Sequence, residues 1–242
     1  VLAAAEKLSY SPDANAQAMA RGHTTTLGLI VHDIADPYFS AIAAGVVRSA
    51  TEAGLQVTLT TTQTDAGREA ELVDLMRRQR ARAVVVAGGR EIGEHGVLLG
   101  DAVTAFRQEG GGVAVIGQPI EGISAVAVNN TQGSADLADA LVDLGYRTIA
   151  VIGGPTDRLT ARDRRTGFID ALAAQGIKVA DSDVLACAFT WEGGYQAMTT
   201  LLERDRLPEL VFATNDVMAL GALAAVRDAG KSVPGDVALA GF

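Results

Sequence analysis

Leu27-Gly28-Leu29-Ile30-Val31-His32 is an apolar run of strand length, and Asp33-Ile34-Ala35-Asp36-Pro37-Tyr38-Phe39 follows it directly. The run is apolar at successive positions, so it predicts a strand buried on both faces. Asp36 and Pro37 then predict a helix start, with the aspartate as cap and the proline in the first turn, where its missing N–H costs nothing. The helix is expected over residues 38–53, closed by Gly54, with a second strand over 55–60. This is a βαβ unit. The loop leaving its first strand lies over the carboxyl edge of the sheet, where open α/β folds bind ligands. Asp36, Tyr38 and Phe39 are therefore candidate ligand contacts: a carboxylate for hydroxyl groups beside a flat apolar wall. The competing reading spends Asp36 on the helix cap and the rings on the core.

The same alternation continues along the chain. Helices are expected over residues 68–80, 98–108, 129–144, 162–175, 192–203 and 216–229. Strands are expected over 83–87, 113–116, 125–128, 148–152, 183–186, 210–213 and 237–240. Short apolar strands separated by amphipathic helices imply α/β architecture with parallel, doubly wound sheets. The strands are too numerous for one sheet. Two Rossmann-like subdomains, with a hinge near residues 125–130 and a ligand cleft between them, fit the count. The expected divisions are 1–22, 23–128 and 129–242. Residues 1–22 form two short helical stretches on either side of Ser11-Pro12 and lack the bulky apolar content for a core of their own.

Composition narrows the function. The chain has 242 residues, 48% hydrophobic and 20% charged, with a formal net charge of −9. That balance disfavours a general nucleic-acid binder, because attraction to phosphate needs a basic face. The single cysteine, Cys187, excludes an internal disulfide and stands among apolar neighbours as a structural thiol. No apolar run reaches the roughly 18 residues of a membrane span, and residues 1–8 do not form a signal peptide. A cytoplasmic protein with no membrane association is expected. The chain does not begin with Met and stops inside an expected strand, so a fragment of a longer protein is expected.

The second half offers its own candidates. Arg158, Arg162, Arg164 and Arg165 follow the Gly153-Gly154-Pro155 turn. They can pair with Asp157, Asp163 and Asp170 on a solvated helix face, or present fixed bidentate donors to vicinal hydroxyls, a carboxylate or a phosphate. Asn215-Asp216 and Asn129-Asn130 each follow a strand, where they can cap a helix or meet a ligand. Enzyme signatures are missing. No Gly-x-Gly-x-x-Gly follows the first strand, there is no phosphate-loop lysine or serine elbow, and His23, His32 and His95 have no metal-ligand spacing. No catalytic residue, metal or cofactor is expected, and His32 reads as a structural residue.

Several runs together resemble the lactose-repressor (LacI/GalR) family of bacterial transcription regulators. Residues 1–13 look like the end of its DNA-binding headpiece, and Asn15-Ala16-Gln17-Ala18-Met19-Ala20-Arg21-Gly22 looks like its hinge helix. Thr26-Leu27-Gly28-Leu29-Ile30-Val31 with Pro37-Tyr38-Phe39 resembles the start of its effector-binding core. Arg164-Arg165-Thr166-Gly167-Phe168, Thr214-Asn215-Asp216-Val217-Met218-Ala219-Leu220 and Val233-Pro234-Gly235-Asp236-Val237 match later in the same order. The resemblance implies a two-lobed core of periplasmic-binding-protein-like fold, a homodimer, a small polar effector such as a sugar, and operator DNA as partner of the full-length protein. It implies effector contacts from Tyr38 and Phe39 in the first lobe and from Arg158, Thr160, Arg164, Phe189, Asn215 and Asp216 in the second. Asn129 stands where the family often has an aspartate. It also implies DNA contacts from Asn15, Ala16, Gln17 and Met19, with Met19 as the apolar wedge in the minor groove.

A periplasmic sugar-binding protein of a transporter shares this fold and is the runner-up. The hinge-like residues and the missing leader weigh against it. A Rossmann-type enzyme comes third, for want of the phosphate-binding glycines.

Overall fold

Strand β1 (Thr26–Val31) anchors the first half of the chain, and its last three residues, Leu29, Ile30 and Val31, have no exposed surface. This computed structural model describes residues 7, 20, 22–63, 65, 67–88 and 94–242. The expected helices within 1–22, and Asn15, Ala16, Gln17 and Met19 with them, lie outside the described residues. By contact the chain divides into two units, the first ending at Ala127 and the second running from Val128 to Phe242.

The first unit continues through α1 (Pro37–Glu52), β2 (Gln56–Thr61), α2 (Arg68–Arg78), β3 (Ala83–Gly88), α3 (Glu94–Gln108), β4 (Gly112–Gly117) and β5 (Ser124–Ala127). Its five strands are parallel in the order β2-β1-β3-β4-β5, with Leu29 paired to Leu59 on one side and Val85 on the other. Successive side chains of a strand point to opposite faces, so β1 feeds two cores. Ile30 packs with Leu72, Val73 and Met76 of α2 and Phe106 of α3. Leu29 and Val31 pack with Ala43 of α1. The chain steps from β1 outward to β2 and then back across β1 to β3. The direction of winding therefore reverses between β1 and β3, and that edge is the ligand position of this sheet type.

The second unit contains α4 (Asn130–Asp143), β6 (Ile149–Ile152), α5 (Leu159–Ala174), a 3-10 turn (Asp181–Asp183), β7 (Val184–Leu185), α6 (Trp191–Leu202), β8 (Leu210–Ala213), α7 (Asp216–Asp228) and β9 (Ala238–Ala240). Its strands are parallel in the order β7-β6-β8-β9. β6 and β8 are buried at every position. Val151 and Phe212 face α4 and α5, while Ile152 and Val211 face α6 and α7. Phe168 and Phe212 stack with centroids 4.0 Å apart at 17°. Burying each ring stabilises by about 1.5–3 kcal/mol.

The expected doubly wound α/β architecture is what the chain forms. Its differences from the expectations are local. α5 begins at Leu159 rather than Arg162, because Arg158 takes the extended cap conformation without a side-chain bond to announce it. α3 begins at Glu94 rather than Leu98. The strand expected over 183–186 shortens to Val184–Leu185. Asp181-Ser182-Asp183 turns instead, held by Arg204, which bonds Asp183 at 2.6 Å and the Ser182 carbonyl at 2.5 Å. Gly145 takes φ of +100° at the end of α4, a conformation that favours glycine.

The helix pairs of the second unit meet at residues without side chains. A Cβ on Gly167 of α5 would collide with the backbone of Thr131 in α4, and one on Gly221 of α7 would collide with the Trp191 carbonyl of α6. Gly100 of α3 has open space around it. Gly167→Ala is expected to destabilise by about 1–3 kcal/mol through overpacking. Gly100→Ala is expected to stabilise by about 0.4–1 kcal/mol by restricting the unfolded chain. Urea denaturation of the two variants checks the opposite signs.

Candidate functional site

The carboxyl ends of the central strands carry the candidate groups, and each unit has its own rim. In the first, Asp33 accepts from the Ala35 N–H at 2.8 Å and tightens the loop after β1. Asp36 accepts from the Tyr38 N–H at 2.9 Å as the N-cap of α1. The capping role foreseen for Asp36 is thus realised. The two rings separate in role. Phe39 is half-buried and packs into the core beneath α1, whereas Tyr38 is 45% exposed. They meet edge to face, centroids 5.1 Å apart at 76°.

Beneath Phe39 lies a polar group of which the sequence names His32, as a structural residue, but not Glu69. His32 and Glu69 are buried, and the imidazole Nε2 stands 3.7 Å from the carboxylate. His32 Nδ1 is 2.8 Å from the hydroxyl of Thr62, which has no exposed surface. The signal for Glu69 was its spacing: it shares the buried stripe of α2 with Leu72, Val73 and Met76, a charged residue on an apolar face.

In the second unit the arginine cluster resolves into different roles. Arg162 lies on the surface and pairs with Asp163 at 3.0 Å. Arg165 packs alongside Gly153. Arg164 is half-buried and turns inward. Its Nε donates to Asn130 Oδ1 at 2.8 Å, its Nη1 donates to the Thr214 carbonyl at 2.8 Å, and its guanidinium lies 4.1 Å from the centre of the Phe242 ring. One planar cation thereby joins α4, α5 and the end of β8. The asparagine bonded to Arg164 is the buried Asn130, while its neighbour Asn129 is exposed and caps α4 through the Gln132 N–H at 3.4 Å.

The remaining candidates flank this arginine. Asn215 directly follows Thr214 and caps α7, accepting from the Met218 N–H at 2.8 Å. Asp216 is exposed in the first turn of α7, beside Gly241. Arg158 and Thr160 sit at the start of α5. Phe189 lies against Gly154 and is half-buried. Cys187 shares that corner, its sulfur 3.3 Å from that of Met218. Burial pushes its thiol pKa up, partly opposed by a hydrogen bond from the Gly154 backbone, so it is a poor nucleophile at neutral pH. Among the described residues no cluster of three or more metal-ligating side chains occurs, and no helix is long and apolar enough to cross a membrane.

Comparison with known proteins identifies the family. Residues 24–242 match the family model described as periplasmic binding proteins and sugar binding domain of the LacI family. The transcriptional regulator GalR of Salmonella typhimurium is 34% identical over 245 residues, covering 100% of this chain and 69% of the regulator. The solved complex of the transcriptional regulator CelR with cellobiose superposes with a TM-score of 0.75 at 28% identity, covering 98% of this chain and 71% of that one. A LacI family regulator from Enterococcus faecium with bound ribose gives 0.74 at 28% identity, covering 89% and 76%.

Asn215 offers the cleanest check on the capping roles. Asn215→Ala removes the oxygen that accepts the Met218 N–H, and is expected to cost about 1 kcal/mol of stability. Asn215→Asp keeps the acceptor and is expected to cost less. Thermal denaturation separates the two.

Proposed function

Since the chain belongs to the LacI family of transcriptional regulators, we propose that it is the effector-binding core of a DNA-binding repressor that answers to a small polar metabolite, a sugar first. The observation that carries this reading is the chemistry that each unit's rim offers by itself. Tyr38 exposes an aromatic ring, and Arg164 offers a planar donor held by Asn130, Thr214 and Phe242. A sugar has apolar ring faces and vicinal hydroxyls, which suit an aromatic surface and a fixed guanidinium. CelR with cellobiose and the Enterococcus faecium regulator with ribose support the sugar class.

The proposed effector contacts are Asp36, Tyr38 and Phe39 on the first unit and Asn129, Arg158, Thr160, Arg164, Phe189, Asn215 and Asp216 on the second. Asp36, Asn129 and Asn215 keep their caps in this reading, because each carboxylate or amide has further acceptor or donor capacity. Asn15, Ala16, Gln17 and Met19 are the proposed contacts with operator DNA. The net charge of −9 leaves this chain without the basic character that phosphate binding needs, so these contacts by themselves would hold operator DNA weakly. A regulator of this kind works in the cytoplasm. The relatives named above are transcriptional regulators, which favours this reading over a transporter component or an enzyme.

Two copies of the chain are proposed to pair through the outer surface of α6 and α7. Trp191 stacks on Tyr195 there, centroids 5.2 Å apart at 24°. Trp191 is 42% exposed and Leu220 58%, a cost that burial in a dimer removes.

A thermal-shift screen of cellobiose, ribose, sugar phosphates and nucleobases tests the effector class, with a sugar expected to raise Tm. Tyr38→Ala is expected to weaken binding by about 0.5–1.5 kcal/mol without loss of stability. Arg164→Ala should weaken it by about 1.5–3 kcal/mol, the net worth of a hydrogen bond to a charged group, and unchanged affinity by calorimetry would remove Arg164 from the site. Leu220→Lys should shift the chain to monomer in sedimentation velocity, while a dimer that survives it would place the interface elsewhere.

A further inference from the structure

The reversal of winding in the first unit lies between β1 and β3, and the pair His32 and Glu69 occupies that edge. Every side of the imidazole is engaged. Thr62 Oγ1 stands 2.8 Å from Nδ1, and Glu69 Oε1 stands 3.7 Å from Nε2. Gly88, the last residue of β3, closes over both. A Cβ there would stand 2.6 Å from the Glu69 carboxylate and 2.9 Å from His32 Nε2. The pair is thus held by the end of β1, the chain after β2, the end of β3 and the first turn of α2. His32 is 8% exposed and Glu69 4%.

The imidazole also meets the ring of Phe39, centroids 5.6 Å apart at 85°. Phe39 in turn meets Tyr38, at 5.1 Å and 76°. A row of contacts therefore runs from the buried carboxylate through two rings to the exposed tyrosine. In an edge-to-face contact the charge distribution of one ring acts on the quadrupole of the other. A proton gained by His32 adds a full charge to that contact, and since the face of an aromatic ring attracts a cation and its edge repels one, the contact changes in strength whichever ring presents its face. Glu69 favours the charged form and burial opposes it. Charged and titratable groups on the neighbouring elements include Arg68 in the first turn of α2, Asp65 before it, Asp33 and Asp36 after β1, and His95 of α3 beside Gly67. Glu69 stands at ion-pair distance from Nε2.

We propose that His32 is a positioning residue for the effector wall: held by Thr62 and Glu69, it sets the ring of Phe39 and through it Tyr38, and its proton adjusts that wall. The proposal rests on the reading of Tyr38 and Phe39 as effector contacts. It adds a proton-linked control of their placement that neither ring has by itself.

The test uses the whole chain with fluorinated phenylalanine and isotope-labelled histidine, titrated by NMR from about pH 5.5 to about pH 8.5, the range in which histidine changes charge. The Phe39 signal is assigned by its loss in Phe39→Leu. The Phe39 fluorine and His32 ring signals are expected to shift with one midpoint. Glu69→Gln keeps the side-chain volume and a hydrogen-bonding group, and should move that common midpoint to lower pH. In His32→Asn the Phe39 titration should vanish. A Phe39 signal that stays fixed while His32 titrates overturns the proposal, and so does a His32 that does not titrate in this range. In parallel, cellobiose and ribose affinities of the wild type are expected to change about fivefold or more across the range, a common size for coupling between linked equilibria. Glu69→Gln should displace that profile. A sugar that binds equally at every pH overturns the proposal. If neither sugar binds while Phe39 and His32 titrate together, the coupling stands and the effector reading of the wall fails for these sugars.

Discussion

A central strand of a parallel sheet has no face toward water, and the architecture follows from covering both of its sides. β1 answers this with Leu29 and Val31 on the α1 side and Ile30 on the α2 and α3 side. β6 and β8 answer it with two helices on each face. Once both faces are covered, the ends of the strands are the places where polar side chains can reach water or a ligand. The loop from Asp33 to Phe39, the arginine of α5 and the Asn215-Asp216 pair all owe their prominence to that restriction. The side chains that distinguish this core are the few that sit where packing stops.

Two of the strand-end groups show how local chemistry and site chemistry overlap. Asp36 and Asn215 stand just past the carboxyl ends of their strands, and both are caps. A helix that starts at the carboxyl edge of a sheet needs an oxygen at its first turn, so such folds place acceptors at the ligand edge for structural reasons alone. Asn129 and Asn130 divide the two tasks between neighbours. The first caps α4, and the second turns inward to Arg164.

Most of the alternation was legible because it is written in local signals. Asp36-Pro37, the glycines after helices and the unbroken apolar run from Leu27 to Val31 each speak for their own few residues. Membership of the LacI family was legible because several such runs occur in order. Arg164 was nameable, but its partners were not, since Asn130 and Thr214 lie far away in sequence and meet it only through the packing of α4, α5 and β8. His32 was set aside as a lone strand-end histidine. Its meaning comes from Glu69, which joins it only after α2 folds across the sheet. Spacing identifies what a residue offers within about two turns of itself; what receives the offer is decided by tertiary packing.

The bonds that hold Arg164 also bear on how the protein would let go of a ligand. Its guanidinium already has an amide oxygen, a carbonyl oxygen and an aromatic ring as partners. A newcomer at this arginine shares or replaces those partners and does not meet a bare cation. Its net gain is then a difference between two sets of charge-assisted bonds and so smaller than either. Such an exchange keeps the arginine in position before and after the event and limits the energy with which any one molecule is retained. If the proposed effector meets this arginine, the balance favours release over tight capture.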